Sequence, residues 1–340
     1  FAEGTNPATF THNSGGEVGT TSTEVVVQDW LIIGIGDSNG SGEGTPDIRR
    51  SGTTAAVWVD QRCDRSGNSY QARSARLLEK TSKSTSVTFV HLACSGAEID
   101  TGLLKGYEGI IAAKPDLAPQ MRKVKRIAKK REVDALIVSI GVNDLKFGAM
   151  VVKCIDQIAC WTRADVAGGS GSTLDDGMKK RLAELPRLYA RLAKKIDRAG
   201  IEPDRVYITQ YFDSTKDQTG TTCSPLIRVG AGSLSVDFDQ AEAQWAHDSV
   251  LAPLNAAVRA AAEKHGWTLV GGSPELFADH GYCSNDSWIV SLAQSLSRQG
   301  DQNGTLHSTR KGNDAQAGLV VPIVRSDFFA QQKIRPPREP

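Results

Sequence analysis

Five short apolar runs punctuate the chain: "WLIIGIG" (30–36), "VTFVHLA" (87–93), "ALIVSIG" (135–141), "RVYITQY" (205–211) and "WTLVG" (267–271). Their apolar, often β-branched residues stand at consecutive positions, not alternate ones, as strands covered on both faces require. Between the runs, apolar residues recur at three- and four-residue intervals. That spacing predicts helices over 69–81, 117–131, 177–199 and 238–265, with a last one after residue 307. Strands alternating with helices predict a parallel, doubly wound sheet. Two stretches, 148–176 and 213–237, are rich in Gly, Ser and Thr, carry cysteines, and read as irregular insertions over one edge of that sheet. Residues 1–24 lack periodicity and are expected as an extended arm ahead of a single domain spanning 25–335.

In an open parallel sheet, ligands bind beyond the carboxyl ends of the strands. The first run leads into "GDSNGSGEG" (36–44), the second into "CSGA" (94–97) and the third into "GVND" (141–144), so these three polar clusters should meet at one end. Acyl transfer needs a nucleophile, a base, and donors aimed at the oxyanion that develops. Ser38, in a tight turn between strand and helix, would expose its hydroxyl and leave its own N–H free; taken alone, it is equally a helix cap. Gly96 could offer a second N–H, and Asn143 a side-chain N–H that an ionised aspartate could not. Each of these is, singly, an ordinary turn residue.

A base must come from six histidines. His12 lies in the arm, and His91 lies within a strand as a core or sheet-face residue. His247 and His265 fall on a helical stretch, and His280 sits in a loop beside Cys283. His307, in "NGTLHSTRKGNDAQAG", precedes the last helix, and its loop could return to the strand ends.

Forty basic residues against thirty-nine acidic ones give a net charge of +1 over 340 residues, which removes any global electrostatic case for nucleic acid or an acidic membrane surface. The basic stretch "MRKVKRIAKKREVD" (121–134) carries Met121, Val124 and Ile127 at helical spacing and reads as a solvated helix face. No apolar run reaches the about 18–20 residues that a bilayer span needs. The chain begins at Phe1 with no signal-peptide core and is read as a mature or trimmed form. Its six cysteines (63, 94, 154, 160, 223 and 283) form no C-x-x-C, and no His/Cys cluster has zinc-ligand spacing. An even cysteine count reads as disulfides in an exported protein, with fifteen pairings open to six cysteines.

The order of the blocks carries more than any one of them. "GDSNGSGEG", "CSGA", "GVND" and a late "LHS" together resemble the four blocks of the SGNH (GDSL) hydrolase superfamily. The strings "CDRSGNSY" (63–70) and "HLACSGA" (91–97) are similar to its secreted actinobacterial-type lipases and esterases. The resemblance covers about residues 30–320. It implies a flavodoxin-like three-layer α/β/α sandwich around a five-stranded parallel sheet, no cofactor or metal, and ester hydrolysis through an acyl-serine. It places Ser38 as nucleophile, His307 as base, and Ser38, Gly96 and Asn143 in the oxyanion hole. It also implies secretion, and a monomer acting on a small-molecule or lipid ester.

One position departs from the pattern. The family's acid three residues before the histidine is here Gly304, with Asn303 and Asp301 further back, and the usual following proline is Ser308. Some secreted members are similar in using a main-chain carbonyl instead, which implies a Ser38–His307 dyad oriented by the Thr305 carbonyl; Asp301, Asp279 and Asp314 are the acids that could displace that reading. In such a fold the cysteines are expected to pair with near neighbours: Cys63–Cys94, Cys154–Cys160 and Cys223–Cys283. Two rival functions use the same residues. A carbohydrate O-deacetylase would apply the machinery to an acylated carbohydrate, and a non-catalytic binding module would have let it decay.

Overall fold

The run at Trp30 ends a long strand, β2 (Glu17–Gly36), whose residues from Trp30 onward are all buried. The computed structural model describes residues 4–81, 85–167, 172–223, 227–229 and 236–334. β2 pairs in parallel with β3 (Thr85–His91) on one side, Ile32 opposite Phe89, and with β4 (Ala135–Ser139) on the other, Gly34 opposite Ile137. Two further parallel strands, β5 (Val206–Thr209) and β8 (Thr268–Val270), complete the order β3-β2-β4-β5-β8. β6 (Ile227–Val229) and β7 (Val236–Phe238) form a separate antiparallel pair. Because the chain steps first to one side of β2 and then to the other, a crevice opens at the carboxyl ends of β2 and β4.

Consecutive apolar residues are explained by two covered faces. Leu31, Ile33, Ile35, Leu136, Val138, Val206 and Ile208 pack with α3 (Gln120–Ala128), α5 (Leu174–Asp197) and α7 (Ala252–His265). The intervening residues Trp30, Ile32, Ala135, Ile137 and Tyr207 pack with α2 (Tyr70–Glu79) and α10 (Arg310–Ile334). The protein is thus a three-layer α/β/α sandwich on a five-stranded parallel sheet.

Four shorter helices are α1 (Ser38–Ser41), α6 (Gln240–Ala246), α8 (Ser273–Leu276) and α9 (Leu292–Arg298). A π-helical turn, His247–Leu251, joins α6 to α7. The expectation that 148–176 is irregular needs correction, because α4 (Phe147–Asp156) occupies its start and α5 begins at Leu174. Phe147, Met150, Val151 and Cys154 give α4 one apolar face, and Thr173 with Asp176 caps α5 in a reciprocal box. Within the expected arm, β1 (Gly4–Ser14) pairs with Glu17–Val27 of β2 as an antiparallel hairpin. Its turn, Gly15–Gly16, has φ of +65° and +94°, the two positive values that a tight primed turn demands.

Disulfides join Cys63–Cys94, Cys154–Cys160 and Cys223–Cys283. Among the described residues, no helix is long and apolar enough to cross a membrane.

Candidate active site

The turn after β2 is shaped by Gly36. Its φ is +139°, and a Cβ there would lie 2.0 Å from the Ser139 carbonyl, so only glycine fits. The buried Gln120 amide holds this residue from both sides, accepting from Gly36 N–H and donating to its carbonyl, each at 2.8 Å. Asp37 then caps α1, accepting from Asn39 N–H at 3.1 Å and from the Tyr211 hydroxyl at 2.5 Å. Burial pushes the Asp37 carboxyl up to about 6, against the pull of these donors. Ser38 follows as the first residue of α1.

The second and third blocks reach the same place. Cys94 N–H donates to the Gly36 carbonyl at 3.0 Å, and the Ser41 and Ser95 hydroxyls lie 3.0 Å apart. Gly96 has φ +77° and points its missing Cβ into nearly open space, so the glycine serves a left-handed backbone and not a tight fit. Asn143 donates from Nδ2 to the Ala97 carbonyl at 3.1 Å, tying the third block to the second. Among the described residues, the N–H groups of Ser38 and Gly96 have no intramolecular acceptor. Next to Asn143, Asp144 accepts from Ile99 N–H, and burial lifts its carboxyl to about 7.

His307 arrives from the loop before α10. Gly44 packs closely on it, since a Cβ on that glycine would sit 3.4 Å from His307 Cβ. His307 Nδ1 lies 3.2 Å from the Thr305 carbonyl, and Nε2 lies 3.7 Å from Glu43 Oε2. Burial lowers the imidazole, opposed by the charge of Asp37 and by the backbone around Thr305.

The acids considered from sequence have other partners. Asp301 accepts from Gln299 Nε2 at 2.6 Å and from Asn303 N–H at 2.9 Å, Asp279 lies against His280, and Asp314 pairs with Arg73. The remaining histidines that the structure places in contacts are also engaged elsewhere: His91 faces the Gly40 carbonyl and is pushed by burial down to about 3, His247 meets Asp213 at 2.7 Å, His265 tilts against Trp267, and His280 stacks on Trp288. Sequence reasoning missed Glu43, Asp64, Gln120 and Tyr211. Glu43 stands inside the first block, yet nothing local says that it turns towards a histidine near the other end of the chain.

A small apolar pocket, about 60 Å³, opens beside the histidine loop, lined by Phe147, Met150, Val151, Tyr282, Thr305 and Leu306 among others. No group of three or more His, Cys, Asp or Glu side chains suited to a metal occurs among the described residues.

Such a sheet, with four polar blocks gathered at its carboxyl end, defines a hydrolase of acyl esters. Residues 35–315 match the GDSL-like lipase/acylhydrolase family, and the chain belongs to it as a carboxylic ester hydrolase. Among solved structures it is similar to the extracellular lipase of Streptomyces rimosus, at 20% identity and a TM-score of 0.51, covering 88% of this chain and 99% of that one. It is similar also to phospholipase A1 of Streptomyces albidoflavus NA297, at 19% identity and a TM-score of 0.51, with the same coverage of 88% and 99%. At such identity these two likenesses speak for the fold. No curated protein sequence matches the chain.

Proposed function

We propose that this protein hydrolyses esters of acyl chains longer than acetyl, with Ser38 as nucleophile and His307 as base. A proton on His307 Nδ1, donated to the Thr305 carbonyl, leaves Nε2 free to accept the Ser38 proton. Ser38 attacks the ester carbonyl, and the oxyanion is received by the N–H groups of Ser38 and Gly96 and by the Asn143 amide. The alcohol departs with the proton from His307. Water, deprotonated by the same nitrogen, then releases the acid.

The apolar pocket carries the choice of substrate. Its lining includes Thr305 and Leu306, directly before His307, with Phe147, Met150, Val151 and Leu251 as apolar walls. An acetyl group has no use for such a cavity, whereas each buried methylene contributes about 0.8 kcal/mol, roughly fourfold in kcat/KM. The three disulfides support a place of action outside the reducing cytosol.

The test is kcat/KM over 4-nitrophenyl esters from acetate to palmitate, with fluorophosphonate labelling of Ser38. The expected optimum lies beyond acetate and moves to shorter chains in Met150→Trp, which fills the pocket. A preference for acetate that Met150→Trp leaves unchanged would overturn the acyl assignment in favour of sugar O-deacetylation. Absence of Ser38 labelling would overturn the nucleophile.

A further inference from the structure

Two buried acids have no role in the steps above, Glu43 facing His307 and Asp64 facing Glu43. Glu43 is 4% exposed, and among the described residues its Oε1 has no hydrogen-bond partner, while Oε2 faces His307 Nε2 at 3.7 Å. Asp64 is 2% exposed, and its Oδ2 is likewise unpartnered. It follows the short turn Gln61–Cys63 at φ +39°, a left-handed backbone that few residues other than glycine adopt, and the Cys63–Cys94 disulfide anchors the turn. Carboxylates buried this deeply cost several kcal/mol unless something compensates, so a purely structural position is better filled by an amide or an apolar side chain.

The two buried carboxyl groups are neighbours that act on each other, so that one proton is held between them. Burial raises both, and their mutual repulsion, with that of Asp301, forbids joint ionisation. The titratable groups facing Glu43 are therefore Asp64, Asp301, Tyr107 and His307, with the Ser95 hydroxyl and the Gln299 amide as neutral neighbours. Asp37 adds its charge at His307.

Resting on the ester-hydrolase reading above, we propose that Glu43 is the counter-charge of His307. It is a positioning residue that supplies what the family's missing acid would, with Asp64 holding the proton the two share. When His307 takes the Ser38 proton, the shared proton settles on Asp64 and the negative charge on Glu43, beside the new imidazolium. When His307 passes its proton to the leaving alcohol, the shared proton returns towards Glu43. The pair of acids keeps its one proton throughout, and only His307 exchanges a proton with the substrate.

The experiment is the pH profile of kcat/KM, whose acid limb reports His307 in the free enzyme, together with kcat and KM at the plateau. Glu43→Gln should move that limb down by roughly 1 unit or more, because an opposite charge at this distance has gone. It should also lower kcat by about tenfold or more while KM stays within about twofold, since the lost interaction forms only as charge develops. Asp64→Asn should move the limb up, because Glu43 then ionises without a like charge beside it, and Glu43→Asp should recover part of the lost kcat. Opposite movements are a result that a structural role does not produce.

An acid limb within about 0.3 units of wild type in Glu43→Gln, or movement of both variants in the same direction, would overturn the proposal. If Glu43→Gln does not fold, Asp64→Asn decides alone, and a limb that stays or moves down refutes it. Ser38 labelling in the wild type separates the failures: no labelling brings down both readings, and labelling with an unmoved limb brings down only this one.

Discussion

Tyr211→Phe removes one atom from the turn that presents Ser38, and its cost follows from two bonds. The hydroxyl donates to Asp37 Oδ2 at 2.5 Å and accepts from Val142 N–H at 3.3 Å, on a side chain only 5% exposed. A hydrogen bond to an ionised group contributes about 1.5–3 kcal/mol, and an orphaned buried N–H costs about 1–3 kcal/mol. No longer burying a hydroxyl returns roughly 1–3 kcal/mol. The net loss at pH 8 is about 2–3 kcal/mol, or about 3–4 °C in Tm for a chain of 340 residues.

The loss should depend on pH, and the sign follows from Asp37. Its carboxyl, raised to about 6 by burial, contributes most to stability below the unfolded value near 4. That contribution is lost as pH rises through about 6. Removing the Tyr211 donor raises the carboxyl further, so the variant should fall increasingly behind the wild type above pH 6. At pH 5, where Asp37 is largely protonated, only a neutral bond of about 0.5–1.5 kcal/mol is missing. Thermal unfolding followed by circular dichroism at pH 5 and pH 8 measures the difference. Equal shifts at the two pH values, or a shift under about 2 °C at pH 8, would refute the account of Asp37 as a buried charge held by Tyr211.

Three more outcomes follow from the site. Asn143→Ala should lower kcat by about 10²–10³ with the fold intact, as loss of one oxyanion donor does; a loss below about threefold in single-substrate kinetics removes that role. Asp301→Asn, Asp279→Asn and Asp314→Asn should each retain kcat within about tenfold, because their carboxylates are bound to Gln299, to His280 and to Arg73 and not to His307. His307→Ala should instead fall to the level of Ser38→Ala, since nucleophile and base act as a unit, and a thousandfold loss in Asp301→Asn would point to a displaced triad acid.

Much of the fold is legible along the chain because strand and helix burial repeat at fixed short intervals. The runs at Trp30, Val87, Ala135, Arg205 and Trp267 each overlap a strand of the parallel sheet; the last four have boundaries shifted by up to two residues, while β2 begins well ahead of its run, at Glu17, because its first part pairs with β1. The helix over Phe147–Asp156 was harder to read, because its apolar face is short and the glycine-rich stretch behind it dominates the composition. The hairpin around Gly15–Gly16 had a local signal, two threonine-bearing segments flanking adjacent glycines, but its period is obscured by polar residues at most positions.

The sequence by itself determined the alternation of strands and helices, the order of four polar blocks, and therefore which end of the sheet they share. Only the tertiary structure decided what stands between the blocks. Glu43 against His307, Tyr211 against Asp37 and the apolar cavity between α4 and the histidine loop all join residues from distant parts of the chain. Periodicity records which face of an element is buried, since that depends on neighbours three or four residues away. It carries no term for which other element covers that face, and the charges and cavities of this site arise from that second choice.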